Sequence, residues 1–75
     1  MRILFFAALS EITGKQDIEV KSIHSILELK EYLITNYPGI KHAKYLIAVN
    51  KIIVQENAIL NEKDEIALLP PFSGG

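Results

Sequence analysis

The chain has 75 residues, contains no cysteine and carries a formal net charge of −1. This length allows one domain, and the lack of cysteine excludes disulfides, thiolate metal ligands and a cysteine nucleophile or persulfide. Basic and acidic residues do not collect in blocks that would suit nucleic acid or an anionic membrane, so we expect neither as a partner.

The first third of the chain predicts two strands that pair as a hairpin. Residues 2–9 are rich in Ile, Leu and Phe, and the length of this run fits a buried strand. Residues 10–14 end in glycine and predict a single helical turn. Residues 17–23 alternate polar with apolar, which is typical of a strand with one face in solvent.

A helix is predicted to begin at Ser25. Glu28 follows it by three residues, the spacing of a capping box in which each side chain accepts from a backbone N–H that the helix leaves unpaired. Ile26, Leu29 and Leu33 fall on one stripe at helical spacing, which predicts a buried face. Pro38-Gly39 is predicted to end the helix.

The second half of the chain predicts a hairpin and a last strand. Residues 45–49 and 52–54 are strand candidates joined by a tight turn at Asn50-Lys51. After a turn at residues 61–64, residues 65–69 form a final strand that meets two prolines, which cannot continue in a central ladder. One helix that covers one face of a mixed sheet predicts an α+β fold.

The last six residues, Pro-Pro-Phe-Ser-Gly-Gly, form the tail of the chain and suggest its chemistry. Gly74 and Gly75 have no Cβ, so the terminal carboxylate can enter a narrow site. An ionised carboxylate is a poor electrophile, and an activating group from ATP would have to replace its negative oxygen. The sequence has no Walker or dinucleotide-type glycine loop, so another protein must bind the ATP. Extended, the tail reaches at most roughly 20 Å.

Several stretches together carry a family resemblance: residues 3–7, residues 48–50, the acidic turn before residues 64–67, and residues 69–75. They resemble the ubiquitin-like MoaD/ThiS family of sulfur carriers and, within it, the small subunit of molybdopterin synthase. The resemblance covers essentially the whole chain. It implies a ubiquitin-like β-grasp domain at residues 1–69 and a flexible tail at residues 70–75.

The resemblance also implies a function. Gly75 would be adenylated by a ubiquitin-activating-like adenylyltransferase that uses ATP, and then converted to a thiocarboxylate with sulfur from a donor system. The large subunit of molybdopterin synthase would receive the tail and pass the sulfur to cyclic pyranopterin monophosphate. The residues implied to contact such partners are Pro70, Pro71, Phe72, Ser73 and Gly74. The chain itself would bind no cofactor and no metal, catalyse no reaction alone, and work in the cytoplasm as part of a heterotetramer.

Two alternatives stay open: a carrier for thiazole synthesis in thiamine formation, and a protein modifier joined to lysines through Gly75. Pro70-Pro71 and the opening residues 5–7 favour the molybdopterin carrier over the thiazole carrier. Phe5 and Phe6 point to opposite faces of a strand, so one belongs to the core and the other is available to the large subunit. The sequence does not decide which.

The remaining polar residues are assigned no chemistry. The histidines lack companions at metal-ligand spacing, and the carboxylates around residues 62–65 resemble turn residues more than an acid–base pair. The scattered lysines are predicted to be solvated. The residues concerned are His24, His42, Lys44, Lys51, Lys63, Glu62, Asp64 and Glu65.

Overall fold

The computed structural model describes residues 1–71 and contains one mixed five-stranded sheet. Its elements are β1 (Arg2–Phe5), α1 (Ala8–Thr13), β2 (Asp17–Glu19), α2 (Ile26–Asn36), a 3-10 helix (Pro38–His42), β3 (Leu46–Val49), β4 (Ile52–Val54) and β5 (Glu65–Leu69). The strand order is β2-β1-β5-β3-β4. The β1–β5 pair is parallel and the other pairs are antiparallel. The predicted α+β class is confirmed, and the last strand lies at the centre of the sheet.

The predicted first strand is too long. β1 ends at Phe5, the chain turns at Ala7 with a φ of 52°, and α1 follows where the sequence predicted only a turn over residues 10–14. The reason is tertiary: Leu9 on α1 is only 2% exposed, so the segment forms a helix that packs an apolar side chain into the core. The predicted glycine stop is confirmed, because Gly14 adopts a φ of 75° and donates its N–H to the Ser10 carbonyl.

The predicted start and buried stripe of α2 are confirmed. The backbone N–H of Glu28 donates to the Ser25 hydroxyl oxygen at 3.2 Å. The Glu28 carboxylate in turn accepts from the backbone N–H of His24 at 3.1 Å. Ile26, Leu29 and Leu33 are all buried against the sheet. These caps and this apolar stripe fix where α2 begins and which face it buries.

The segment after α2 was not predicted. Pro38 occupies an early position of a 3-10 helix, where its missing N–H costs nothing. This helix buries Ile40, which is 1% exposed. The segment between α2 and β3 therefore contributes to the core, although its sequence contains only turn signals.

The core lies between α2 and one face of the sheet. The buried side chains that build it are Met1, Ile3, Phe5, Leu9, Val20, Ile23, Ile26, Leu29, Leu33, Ile40, Ile47, Leu60, Ile66 and Leu68. Phe5 also meets Tyr37 edge-on, with 5.9 Å between ring centroids. Since side chains alternate along strands, the residues between these core positions lie on the uncovered face of the sheet.

A hydrogen-bonded cluster anchors the start of β5 to the β3–β4 turn. The side-chain amide of Asn50 donates to Asp64 at 2.9 Å, and its oxygen accepts the N–H of Glu65 at 3.0 Å. Asp64 also accepts the N–H of Asn61 at 2.8 Å. The hydrogen bonds from Asn61 and Asn50 hold the pKa of the Asp64 carboxyl below its ordinary value. The central strand is thus held at the end opposite the tail.

Candidate functional site

The tail leaves the body from the centre of the sheet, at the end of β5. Leu69 closes this strand and pairs with Leu46, the first residue of β3. On the other side, the backbone N–H of Phe6 donates to the Leu68 carbonyl at 3.2 Å. Because β5 is held on both sides up to its last residues, the point of departure of the tail is fixed by the sheet.

The predicted contact residues divide between the described and undescribed parts of the chain. Pro70 and Pro71 follow β5 directly and are exposed. Neither has an N–H to donate, which stops the ladder at this point and restricts the base of the tail. Phe72, Ser73, Gly74 and Gly75 lie outside the described residues. The predicted flexible tail at residues 70–75 and the roles given to these six residues therefore stay predictions.

The uncovered side of the sheet carries an apolar surface beside the tail, which we call the open face. Register places Leu4, Ala67, Ala48 and Ile53 in one row across four strands. A second row, made of Phe6, Leu69 and Leu46, lies nearer the tail. The open face consists of Leu4, Phe6, Leu46, Ala48, Ile53, Ala67 and Leu69. Phe6 and Ile53 are exposed, Ala48 is buried by its neighbours and the other four are partly buried, whereas an ordinary solvated sheet face is polar.

The structure decides between the two phenylalanines. Phe5 is 4% exposed and belongs to the core, whereas Phe6 is 43% exposed. Phe6 continues the alternation past the end of β1, so it lies on the open face, next to the base of the tail. The prediction that one of the two is core is confirmed, and Phe6 is the one left available to a partner.

The open face is apolar at the tail end and charged at the other. Arg2 and Asp17 form an ion pair at 2.8 Å, and this contact raises the pKa of Arg2. Glu19 and Glu65 flank Arg2 on the neighbouring strands. The two ends of the open face therefore differ. A partner that buries apolar area would cover the end from which the tail leaves and not the charged end.

Two features are absent from residues 1–71: a metal-ligand cluster and a membrane-spanning helix. Among residues 1–71, no group of three or more His, Asp or Glu side chains is arranged to hold a metal ion. His24 lies 3.5 Å from Glu28 at the exposed start of α2; its backbone N–H donates to the Glu28 carboxylate and its carbonyl accepts the N–H of Leu60. No helix in this part of the chain has the length and apolar character to cross a membrane. The feature that the described residues do offer is an apolar sheet face beside Pro70 and Pro71.

Sequence reasoning missed most of the open face. Leu4, Leu46, Ile53 and Leu69 were counted only as strand residues. A signal was available: after Glu65, every residue of the segment 65–69 is apolar. An unbroken apolar run is typical of a strand buried on both faces. A sheet with one covering helix can bury only one of these faces, so the other is left uncovered in the described residues.

Comparison with known proteins establishes the family. The chain belongs to the ThiS family, whose model matches residues 3–75. The molybdopterin synthase sulfur carrier subunit of Homo sapiens is 33% identical over 82 residues, covering 100% of this chain and 93% of that protein. The corresponding subunit of Dictyostelium discoideum is 35% identical over 85 residues, covering 99% and 94%. The resemblance inferred from the sequence is confirmed.

Solved structures agree with the fold. The modifier protein SAMP1 of Haloferax volcanii superposes with a TM-score of 0.84 at 22% identity, covering 100% of this chain and 98% of that one. A chain from the complex of subunits 1 and 2 of the molybdopterin-converting factor of Helicobacter pylori superposes with a TM-score of 0.74 at 27% identity, covering 99% and 96%. The predicted ubiquitin-like β-grasp fold is confirmed.

Proposed function

We propose that this chain is the sulfur carrier subunit of a molybdopterin synthase. The observation that carries the proposal is that β5 ends, and is followed by Pro70 and Pro71, at the rim of an apolar, uncovered sheet face, in a sequence that continues Phe-Ser-Gly-Gly. The curated relatives that match over nearly the whole chain are sulfur carrier subunits of this synthase, which supports this function over the thiazole carrier and the protein modifier.

The chemistry is assigned to Gly75. Its carboxylate attacks the α-phosphorus of ATP on an adenylyltransferase, pyrophosphate leaves, and the acyl carbon becomes electrophilic. Sulfur delivered at the sulfide level by a donor system then attacks that carbon and displaces AMP, which leaves a thiocarboxylate. Cyclic pyranopterin monophosphate on the large subunit receives the sulfur, water supplies the oxygen that returns the acyl carbon to a carboxylate, and the carboxylate starts another cycle. ATP is bound by the activating enzyme, and this chain supplies only the acyl group.

The body of the chain serves to dock. Phe6, Leu69 and Leu46 lie beside Pro70 and Pro71 at the base of the tail, so a partner that covers them also lies against that base. The Helicobacter pylori relative was solved in complex with a second subunit, which supports a large subunit as the occupant of this face. Pro70 and Pro71 reduce the ordering cost of the tail, since each backbone residue fixed on binding otherwise costs about 1–2 kcal/mol.

Intact-mass measurement tests the assignment. The full chain is incubated with the adenylyltransferase, ATP and a sulfur donor, beside a variant that lacks Gly75. The full chain is expected to gain the mass of an oxygen-to-sulfur exchange, and the shortened chain to remain unchanged. A full chain that never acquires this mass, with a known carrier loading normally in the same mixture, contradicts the proposal.

A further inference from the structure

A second surface lies on the helix side of the sheet, in a groove between α2 and strands β3 and β4. Its volume is about 510 Å³, and its apolar walls include Ile34, Ile40, Ile47 and Val54. This volume falls in the range of roughly 300–1,000 Å³ that is typical of ligand sites. The groove is open, so a side chain from a protein segment can enter it from solvent.

The groove is ringed by positive charge. Lys30, Lys41 and Lys44 line it, and no aspartate or glutamate does. The three come from different elements: α2, the 3-10 helix and the segment before β3. Within residues 1–71 none of the three forms an ion pair. The sequence predicted solvated, scattered lysines, but the fold concentrates them on an apolar groove in a chain whose net charge is −1.

Apolar walls together with a rim of lysines favour an occupant that has both carboxylates and apolar side chains. Lysine stems can cover apolar surface while their ammonium groups stay in water, where they attract an acidic partner at the rim. A small inorganic anion would leave the exposed side chain of Ile34 in the groove wall uncovered. An amphipathic acidic polypeptide segment satisfies both parts of the groove.

The groove and the open face lie on opposite sides of the sheet, and both reach the end of the sheet where β5 stops. Leu46 lines the groove and also pairs with Leu69, from which the tail departs. Tyr45, beside it, is half-buried in the groove wall, and this burial raises the pKa of its hydroxyl. A partner seated on the open face around the tail therefore reaches the groove within one or two residues.

We propose that the groove receives an acidic, amphipathic segment of the same large subunit that covers the open face. The inference rests on the proposed function, because it takes the large subunit as the partner. The segment places apolar side chains between α2 and β3 and its carboxylates beside Lys41 and Lys44. The contact in the groove and the contact on the open face, one on each side of Leu46, then hold the carrier body while the large subunit binds the tail.

Charge reversal tests the proposal against a matched control. Lys41→Glu with Lys44→Glu alters the groove, and Lys21→Glu with Lys51→Glu makes the same change in net charge at the far end of the sheet. Binding to the large subunit of the same organism is measured by titration calorimetry at low and high ionic strength. Circular dichroism verifies that both variants are folded, and Lys41→Gln with Lys44→Gln provides a milder groove variant.

The groove variant is expected to bind about tenfold more weakly at low ionic strength, and the control within about twofold of the unmutated chain. Salt should shrink the difference, since it screens exposed charges. A carbodiimide, which joins amines to carboxylates in contact, should link Lys41 or Lys44 to an acidic segment of the large subunit. Equal affinity of the groove and control variants overturns the groove proposal while leaving the carrier function intact. Failure of the unmutated chain to bind the large subunit contradicts the proposed function itself.

Discussion

Replacing Phe6 with alanine should weaken docking to the large subunit and leave the fold intact. Phe6 is 43% exposed. For a phenylalanine of roughly 200 Å² this leaves roughly 80 Å² open to a partner. At about 25 cal/mol per Å², covering that area contributes about 2 kcal/mol, so Phe6→Ala should raise the Kd about 30-fold. The free energy of unfolding should fall by less than about 1 kcal/mol, because Phe6 lies on the open face and does not belong to the core cluster.

Phe5→Ala is the matched control, because it removes the same side chain from the other face of the same segment. Phe5 is 4% exposed and packs against Tyr37. Truncating a buried phenylalanine typically costs about 3–5 kcal/mol. A domain of this size is stable by only about 4–11 kcal/mol, so the variant should be strongly destabilised.

Urea unfolding followed by circular dichroism gives the stability of each variant, and calorimetric titration with the large subunit gives the Kd of those that are folded. The expected pattern is a loss of affinity without loss of stability for Phe6→Ala, and a loss of stability for Phe5→Ala. Unchanged affinity of a folded Phe6→Ala chain would refute the assignment of the open face as the docking surface.

Two further predictions concern stability. The folded-state pKa of Asp64 is lowered, so the ionised carboxylate stabilises the fold. This contribution to the free energy of unfolding is present above the unfolded pKa of about 3.9 and is lost as the pH falls below that value. Asp64→Asn should therefore reduce the free energy of unfolding at neutral pH and flatten its decline in acid; a variant with the same acid dependence as the parent argues against this role. Ser25→Ala should cost about 1 kcal/mol by removing the cap of α2, and Ser25→Asp should retain most of it. Thermal melts measure both, and equal melting temperatures for the two Ser25 variants would contradict the capping assignment.

Local signals predicted the parts of the fold that depend on neighbouring residues. The Ser25 to Glu28 spacing marks the start of α2, and Asn50-Lys51 marks the hairpin turn; both residues of that turn adopt a positive φ. Each feature uses backbone chemistry within a few residues, so the sequence alone carries it.

The features that were missed depend on tertiary contacts. α1 forms because Leu9 reaches the core, and the 3-10 helix forms around the burial of Ile40. The choice between Phe5 and Phe6 depends on which side of the sheet α2 covers. The lysine groove depends on how three successive elements, which carry Lys30, Lys41 and Lys44, pack against one another and against the sheet. None of these is encoded in a local pattern, because each depends on what packs against the segment.

A single-turnover reaction tests the central claim most directly. Carrier loaded with sulfur at Gly75 is mixed with the large subunit and cyclic pyranopterin monophosphate, and the mass of the carrier is followed together with formation of the dithiolene pterin. The account predicts that the carrier returns to its unmodified mass as the product appears, and that a chain lacking Gly75 supports no product. Product formation at full rate with the chain that lacks Gly75 would contradict it.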